Sequence, residues 1–344
     1  MERPPVELRV SSRGSRAAVS WTSIPVPGTI VGVALLVALL AHYGVRQLVD
    51  DLGVVGWGLL ALAAYHSTAI AADAIAWRRL LPADGRASLG LVAFARWIGE
   101  AVNGLLPVMQ LGGNVVRARI LSRRGVPGTV AGATVVVDVT IEAFTQAVFA
   151  LLGLLALTTR ANAGALVRPS LVGAALLAAF VALFVAVQRA GILGALARKL
   201  GRIGSRRWPS LADRADDFEA RIAASYADHA SLASSALWHL AGWLLGAGEV
   251  WLALWLLGKP VDAVSAIALE GLGMAVRGAA FAVPGALGVQ EGSLVVLGGM
   301  LGIDAHTCLA LSLSKRAREF LVGVPALLAW QLDGGAPSGA PAGR

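Results

Sequence analysis

Charge is scarce in this chain of 344 residues: Asp, Glu, Lys and Arg make up 15% of it, where a soluble domain carries about a quarter. Hydrophobic residues fill 57% and the mean hydropathy is +0.71, which also excludes a disordered chain, since disorder needs low hydrophobicity. Cysteine is nearly missing. Cys308 stands alone, so no disulfide can form within the chain and a small disulfide scaffold is ruled out. Acidic residues are outnumbered, 21 against 29 basic ones, with a net charge of +8 and a pI near 10.7. Such a balance can mean nucleic acid, but the long uncharged runs point to lipid as the solvent. In a polytopic membrane protein cations gather on cytoplasmic flanks, held there by the insertion machinery and an acidic leaflet. Nucleic acid is not expected as a partner.

The first 27 residues form a basic tail with Arg3, Arg9, Arg13 and Arg16, closed by Pro25 and Pro27. The apolar run at 28–44 lacks a convincing cleavage site, so it is read as a retained helix rather than a signal peptide. Further runs of spanning length lie at 52–77, 128–157, 171–187, 236–257 and 305–332, which predicts six crossings within one membrane domain over 28–332. With a cytoplasmic N-terminus, Arg78/Arg79/Arg86, Arg117/Arg119/Arg123/Arg124 and the run from Arg189 to Arg221 all fall on one side. The opposite loops hold only Arg46, Arg160, Arg168 and Lys259. This is the positive-inside pattern, and it predicts a multi-pass protein of a bacterial inner membrane with both termini in the cytoplasm. Residues 191–231 mix leucines with charges, break at Pro209, and read as amphipathic helices on the cytoplasmic face. The Gly/Pro/Ala-rich tail at 333–344 reads as disordered.

Two apolar stretches are interrupted, at 94–121 and 269–297. Ala101-Val102-Asn103-Gly104 is followed by Pro107 and Gly112-Gly113; Ala275-Val276-Arg277-Gly278 is followed by Pro284, Gly285 and Gly288. Proline removes a donor and glycine permits sharp turns, so each stretch is expected to be two half-helices joined by unwound backbone. Such backbone is tolerated at membrane depth only when buried in protein or lining a wet cavity. Topology brings the first in from the cytoplasm and the second from outside, an inverted-repeat-like arrangement in an all-α bundle. Half-helix starts at Gly112-Gly113-Asn114 and from Gly288 to Glu291 can face an anionic group, with Asn114 as a possible cap. The plainer alternative is that these breaks only let helices pack closely, each stretch then spanning fully.

Ionisable residues inside apolar runs cost on the order of 3 kcal/mol each unless paired or wetted, and are functional candidates by default. Lys315, Arg316, Arg318 and Glu319 lie in the last run, where Lys315 and Arg316 can each pair with Glu319. Arg277 and Glu270 lie in the second broken stretch with Glu291 at its exit; Arg96 and Glu100 lie in the first; Asp138 and Glu142 share a helix face. They either form a substrate site or pair across the bundle to fix packing. The five histidines make no metal-ligand spacing, and no Walker loop or GxGxxG after a strand occurs. Neither a metal nor a cofactor is expected.

At the broken stretches the chain resembles the membrane domain of the lysylphosphatidylglycerol synthase/flippase family, most closely its hopanoid-biosynthesis-associated branch. The resemblance covers roughly 41–331. It is carried by Arg96-Trp97-Ile98-Gly99-Glu100-Ala101-Val102-Asn103, Leu106-Pro107 with Gly112-Gly113, Val116-Arg117-Ala118-Arg119, Pro284-Gly285-Ala286-Leu287-Gly288-Val289-Gln290-Glu291-Gly292 and Leu313-Ser314-Lys315-Arg316-Ala317-Arg318-Glu319. It implies a lipid-handling fold whose broken helices form a central cavity. Full synthases of the family add a soluble aminoacyl-transfer domain after the membrane part; the sequence ends at Arg344, and synthase activity is not expected of it. Where many relatives place an acid after the glycine pair, this chain has Asn114.

The leading expectation is a flippase-like transporter, working without ATP on a hopanoid, a polyisoprenoid-derived lipid or an anionic lipid. Arg96, Arg117, Arg277, Lys315, Arg316 and Arg318 would meet the head group, with Glu100, Glu291 and Glu319 orienting them and Asn103, Asn114 and the backbone at Pro107, Gly112, Gly113, Pro284 and Gly288 completing the site. Two alternatives stand beside it: an intramembrane head-group-modifying enzyme using Asp138 and Glu142 as its acid/base pair, and a scaffold binding lipid-biosynthesis proteins through 191–231.

Overall fold

The computed structural model describes residues 53–106, 111–160, 209–280 and 283–335, with the isolated positions 182 and 186. Among them every regular element is helical: α1 Gly58–Leu80, α2 Leu89–Leu105, α3 Gly112–Arg123, α4 Gly128–Arg160, α5 Pro209–Ala227, α6 His229–Leu256, α7 Ala263–Ala279, α8 Val289–Met300 and α9 Ala305–Gly335, with short 3-10 turns at Ala83–Gly85 and Pro284–Ala286. The expected crossings at 28–44 and 171–187, the basic tail at 1–27, the 191–208 part of the amphipathic region and the tail from 336 on lie outside the described residues.

One face of α4 and of α6 turns large apolar side chains outward: Phe144, Leu151, Leu152 and Leu155 on one, Leu237, Leu244, Trp251 and Trp255 on the other. On the same two helices Asp138, His239 and Glu249 are buried. That reversal suits lipid as the surrounding solvent, and α1, α4 and α6 are each long and apolar enough to cross a membrane. The chain is a multi-pass membrane protein. α9 is 31 residues long but carries Lys315, Arg316, Arg318 and Glu319 in its middle, so its length comes without the apolarity of the other three.

Three helices owe their start to a cap that an apolar-run criterion overlooks. Ser88 accepts from the Leu91 N–H at the start of α2, Asp228 from Ser231 at α6, and Asp262 from Ser265 at α7. These caps begin α2 and α7 five or six residues before the broken stretches seen in the sequence, and α6 seven residues before its apolar run. α2 ends at Leu106, whose extended backbone (φ −108°, ψ 147°) is what a following proline imposes.

The two broken stretches have the same plan. In each, a 17-residue arm is followed by a 12-residue arm, about 25 Å and about 18 Å long, neither enough for a hydrocarbon core of about 30 Å. The arms fold back on one another. Asn103 Oδ1 accepts the Gly113 N–H at 2.8 Å, and one turn farther back Gly99 abuts Arg117. Likewise Arg277 Nη1 donates to Gln290 Oε1 at 2.6 Å, and Gly273 abuts Leu294. Gly99 and Gly113 approach so closely that a Cβ on Gly113 would lie 2.0 Å from the Gly99 carbonyl oxygen.

Long helix, hairpin, long helix therefore occurs twice: α1, α2–α3, α4 and α6, α7–α8, α9. Exchanging the two sets preserves the packing neighbours: α4 lies along α7 as α9 lies along α2, and α4 meets α6 as α9 meets α1. α1 and α6 pack against each other on the axis of this exchange and run antiparallel, with Gly58 at Leu256 and Asp73 at Gly242. One apolar cluster (Trp77, Val92, Ile98, Val116, Leu121, Val130) lies at one end of the bundle and another (Leu62, Val250, Leu254, Leu269, Leu294, Leu311) at the other. Along α1 the order is Leu62, then His66 and Asp73, then Trp77. The polar residues form a layer between two apolar caps. Outside this frame α5 lays Phe218, Ile222 and Tyr226 on Leu80, Ala133 and Val137.

Candidate functional site

A cavity of about 350 Å³ occupies the charged layer between the two hairpins. Its walls carry the cations Arg96, Arg117, Arg277, Lys315 and Arg318, and the acids Asp73, Glu100, Glu142, Glu249, Glu270 and Glu319, together with His66, Asn103, Asn114 and Gln146. Five fixed cations thus face six carboxylates. Unpaired, such charges would not tolerate burial; they persist because each finds a partner across a helix boundary.

On one side Arg96 of α2 forks onto Glu142 of α4, with Nη2 2.6 Å from Oε1 and Nη1 3.0 Å from Oε2, and also donates to Asp73 of α1 at 2.8 Å. Arg117 of α3 donates from Nη1 to Asp138 at 2.5 Å and lies over the Trp77 ring, 4.9 Å from its centre. His239 of α6 joins these pairs, its Nδ1 2.9 Å from Asp73 and its Nε2 3.0 Å from Asp138.

On the other side His66 of α1 has Nδ1 2.7 Å from Glu249 of α6 and Nε2 2.6 Å from Glu100 of α2. Arg318 of α9 donates from Nε to Glu249 at 2.9 Å, and its Nη1 lies 3.1 Å from His66 Nε2. Lys315 reaches Glu270 of α7 at 2.5 Å, and Arg277 reaches Glu319 at 2.6 Å. The pair that the sequence allows between Lys315 and Glu319 is not used; Lys315 turns to Glu270, while Arg316 does contact Glu319 at 3.4 Å.

Arg96, Glu100, Asn103, Asn114, Arg117, Arg277, Lys315, Arg318 and Glu319 come together on the cavity wall. Gly112, Gly113, Gly288, Glu291 and Arg316 lie outside its lining, while Pro107 and the side chain of Pro284 lie outside what the structure describes. Arg316 instead bridges Glu291 and the backbone of the second break. Asp138 and Glu142, the acid/base alternative, are both engaged by arginines.

His66, Asp73, His239 and Glu249 escaped the sequence reading although each interrupts or borders an apolar run, the same signal that singled out Glu142 and Arg318. His66 and Asp73 are seven residues apart and therefore share a face of α1. That spacing could have found them.

Not every donor is satisfied. Arg117 is 1% exposed, and its Nε and Nη2 have no hydrogen-bond partner among the described residues; Arg96 Nε is likewise unpartnered. Buried guanidinium N–H groups without acceptors are costly, and here they belong to two residues on the wall of one cavity beside Asn103 and Asn114.

Comparison with known proteins bears on this site. The family described as Lysylphosphatidylglycerol synthase TM region matches residues 26–326, and so takes in both hairpins and the charged layer. No curated protein and no solved structure matches.

Proposed function

This chain belongs to the lysylphosphatidylglycerol synthase TM region family, a membrane family related to lipid synthesis and flipping, and from that premise we propose that it is a flippase-like transporter of a lipid with an anionic head group. The head group enters the charged cavity between the hairpins while the tails stay in the bilayer. The single observation that supports this reading is the pair of unpartnered N–H-bearing nitrogens on Arg117, a residue held by Asp138 and Trp77 on the cavity wall. A phosphate oxygen is the acceptor such a fork suits; these nitrogens are buried, so the Arg117 side chain must shift to offer them, and Arg96, Asn103 and Asn114 line the same cavity.

Hopanoid or polyisoprenoid-derived cargo fits as far as it carries such a head group, and the resemblance to the hopanoid-associated branch favours the former. The cations that the sequence offers to the head group are all matched by carboxylates, Arg117 by Asp138 included, so they set the shape and field of the cavity rather than add positive charge, and among the described wall residues only single N–H groups of Arg117 and Arg96 are left over. The positive-inside pattern favours an inner-membrane location with both termini in the cytoplasm.

The test is movement of fluorescent phosphatidylglycerol between leaflets of vesicles containing the purified chain, with fluorescent phosphatidylcholine as the zwitterionic comparison. Phosphatidylglycerol is expected to cross faster than in protein-free vesicles. Arg117→Gln is expected to slow it at least about tenfold, since a hydrogen bond to a charged group contributes about 1.5–3 kcal/mol. Equal rates for the two proteins, at equal amounts of folded chain, would sink the assignment.

A further inference from the structure

The two buried histidines are not equivalent, and the difference lies in what faces Nε2. An ionised carboxylate only accepts hydrogen bonds, and a neutral imidazole carries one N–H. His66 nevertheless presents Nδ1 to Glu249 at 2.7 Å and Nε2 to Glu100 at 2.6 Å. A neutral ring between two ionised carboxylates would leave one of these contacts without a hydrogen. The observed pair of contacts calls for one additional proton, placed most simply on the ring as imidazolium. A third group complicates the picture: Arg318 Nη1, which can only donate, lies 3.1 Å from the same Nε2. With the ring doubly protonated, that N–H has no acceptor on the histidine. With the Nε2 proton gone, Nε2 becomes the acceptor for Arg318 and lets go of Glu100. Arg318 keeps its hold on Glu249 through Nε in either state.

His239 lacks this second option. Its nitrogens face Asp73 and Asp138, while the neighbouring arginines Arg96 and Arg117 bond to the aspartate oxygens rather than to the ring. It is also 1% exposed and outside the cavity lining, whereas His66 is on the wall. The charged groups around His66 come from three helices: Glu100 from α2, Glu249 from α6, and Arg318 from α9, with Lys315 next to it held by Glu270. α4 turns its acids to Arg96 and Arg117 instead.

We propose that His66 is a proton-binding site on the cavity wall, exchanging its Nε2 proton as Nε2 switches between Glu100 and Arg318, and that this proton travels with the cargo. The charge arithmetic gives the sign. With the proton bound, imidazolium brings the cationic groups level with the six carboxylates of the wall. Without it the wall is negative by one charge and Glu100, the most open of these acids with 34% of its side chain exposed, loses its close partner and keeps only Arg318, 4.0 Å away. An anionic head group is therefore favoured when the proton is present and repelled when it is absent, so the two ligands bind together and leave together. The coupling to cargo rests on the transport reading above; the proton site does not.

Two measurements keep these parts separate. The first is nitrogen NMR of the full chain, labelled at histidine and held in nanodiscs of phosphatidylethanolamine and phosphatidylglycerol, followed over roughly pH 5 to 10, the range in which imidazoles and their close neighbours titrate. His66→Gln identifies the resonances. The expectation is a ring with both nitrogens protonated that loses the Nε2 proton and keeps Nδ1–H, and a Glu100→Gln chain in which the doubly protonated form is depleted. A ring that stays neutral, or that keeps both protons throughout, overturns the proton site. The second is the ratio of phosphatidylglycerol movement with and without an imposed gradient of one pH unit, which biases a one-proton step by up to about tenfold. The ratio is expected to exceed one in the unmodified chain and to fall to one in His66→Gln. A ratio of one in the unmodified chain, or an unchanged ratio in the variant, overturns the coupling. If the unmodified chain moves no probe under either condition, the transport reading and the coupling fail together, and NMR alone decides the proton site.

Discussion

Arg316 donates from Nη1 to the carbonyl oxygen of Gly285 at 2.6 Å, tying the middle of α9 to the turn of the second hairpin. That turn contains three residues with positive φ, Gly285 at 60°, Ala286 at 48° and Gly288 at 73°, and Ala286, as a residue with a Cβ, bears about 1–2 kcal/mol of strain there. The same guanidinium donates from Nε to Glu291 at 3.1 Å and so also secures the start of α8. In the sequence Arg316 is a candidate head-group ligand; in the fold it is the brace of a strained break.

Arg316→Ala is accordingly expected to lower stability rather than to act on cargo alone. Breaking one side of a buried pair leaves Glu291 uncompensated and costs about 3–5 kcal/mol. Thermal unfolding in detergent should show a large drop in midpoint, and vesicles loaded with the fraction that still folds should retain phosphatidylglycerol movement. Normal stability with movement abolished would return Arg316 to the substrate site.

Gly113 and Gly104 make a matched pair for testing the first hairpin. A Cβ on Gly113 would lie 2.0 Å from the Gly99 oxygen and 2.8 Å from Asn103, whereas one on Gly104 meets nothing within 4 Å. Gly113→Ala must push the arms apart and should cost several kcal/mol, in the range of about 1–3 kcal/mol for overpacking and more where backbone is the obstacle. Gly104→Ala, near the end of α2, should be neutral or stabilising by up to about 1 kcal/mol. Comparable unfolding midpoints for the two variants would mean that the arms do not pack as closely as described.

Lys315 and Glu270 form the counterpart, with signs reversed, of Arg96 and Glu142: in each half a hairpin's first arm reaches across to the long helix that follows the hairpin. If the Lys315–Glu270 pair only balances charge, Lys315→Met should destabilise by about 3–5 kcal/mol, and adding Glu270→Gln should recover most of it. A double variant no better than the single one would show that Glu270 is needed as a charge by something other than Lys315.

The hairpins were legible in the sequence because proline and glycine act locally: Pro107 fixes Leu106 as extended backbone, and Gly285 and Gly288 take the positive φ that the second turn demands. The starts of α2, α6 and α7 were not, since hydropathy locates the lipid-facing stretch and the caps Ser88, Asp228 and Asp262 lie outside it. At the cavity, intrusive charges such as Arg96 and Arg318 stood out against apolar neighbours. Their partners could not be assigned, because Arg96 finds Asp73 on α1 and Glu142 on α4, and Arg318 finds His66 on α1 and Glu249 on α6. Such pairings are set by how helices cross, which sequence spacing within one helix does not encode.

Cysteine chemistry offers a direct test of whether water reaches the cavity. Cys308, the single native thiol, is 1% exposed and lies in an apolar cluster with Leu254, Leu269 and Leu311. Asn114 is on the cavity wall beside Arg117. A charged, water-soluble thiol reagent should therefore leave the unmodified chain unlabelled until it is denatured, yet label Asn114→Cys in the folded state, because thiolate chemistry needs both access and a polar surrounding. Prior labelling at this position should also block phosphatidylglycerol movement, since the adduct occupies the place assigned to the head group. An unreactive Asn114→Cys in a chain that still moves lipid would place the route elsewhere; a labelled one that transports normally would leave the cavity wet but idle.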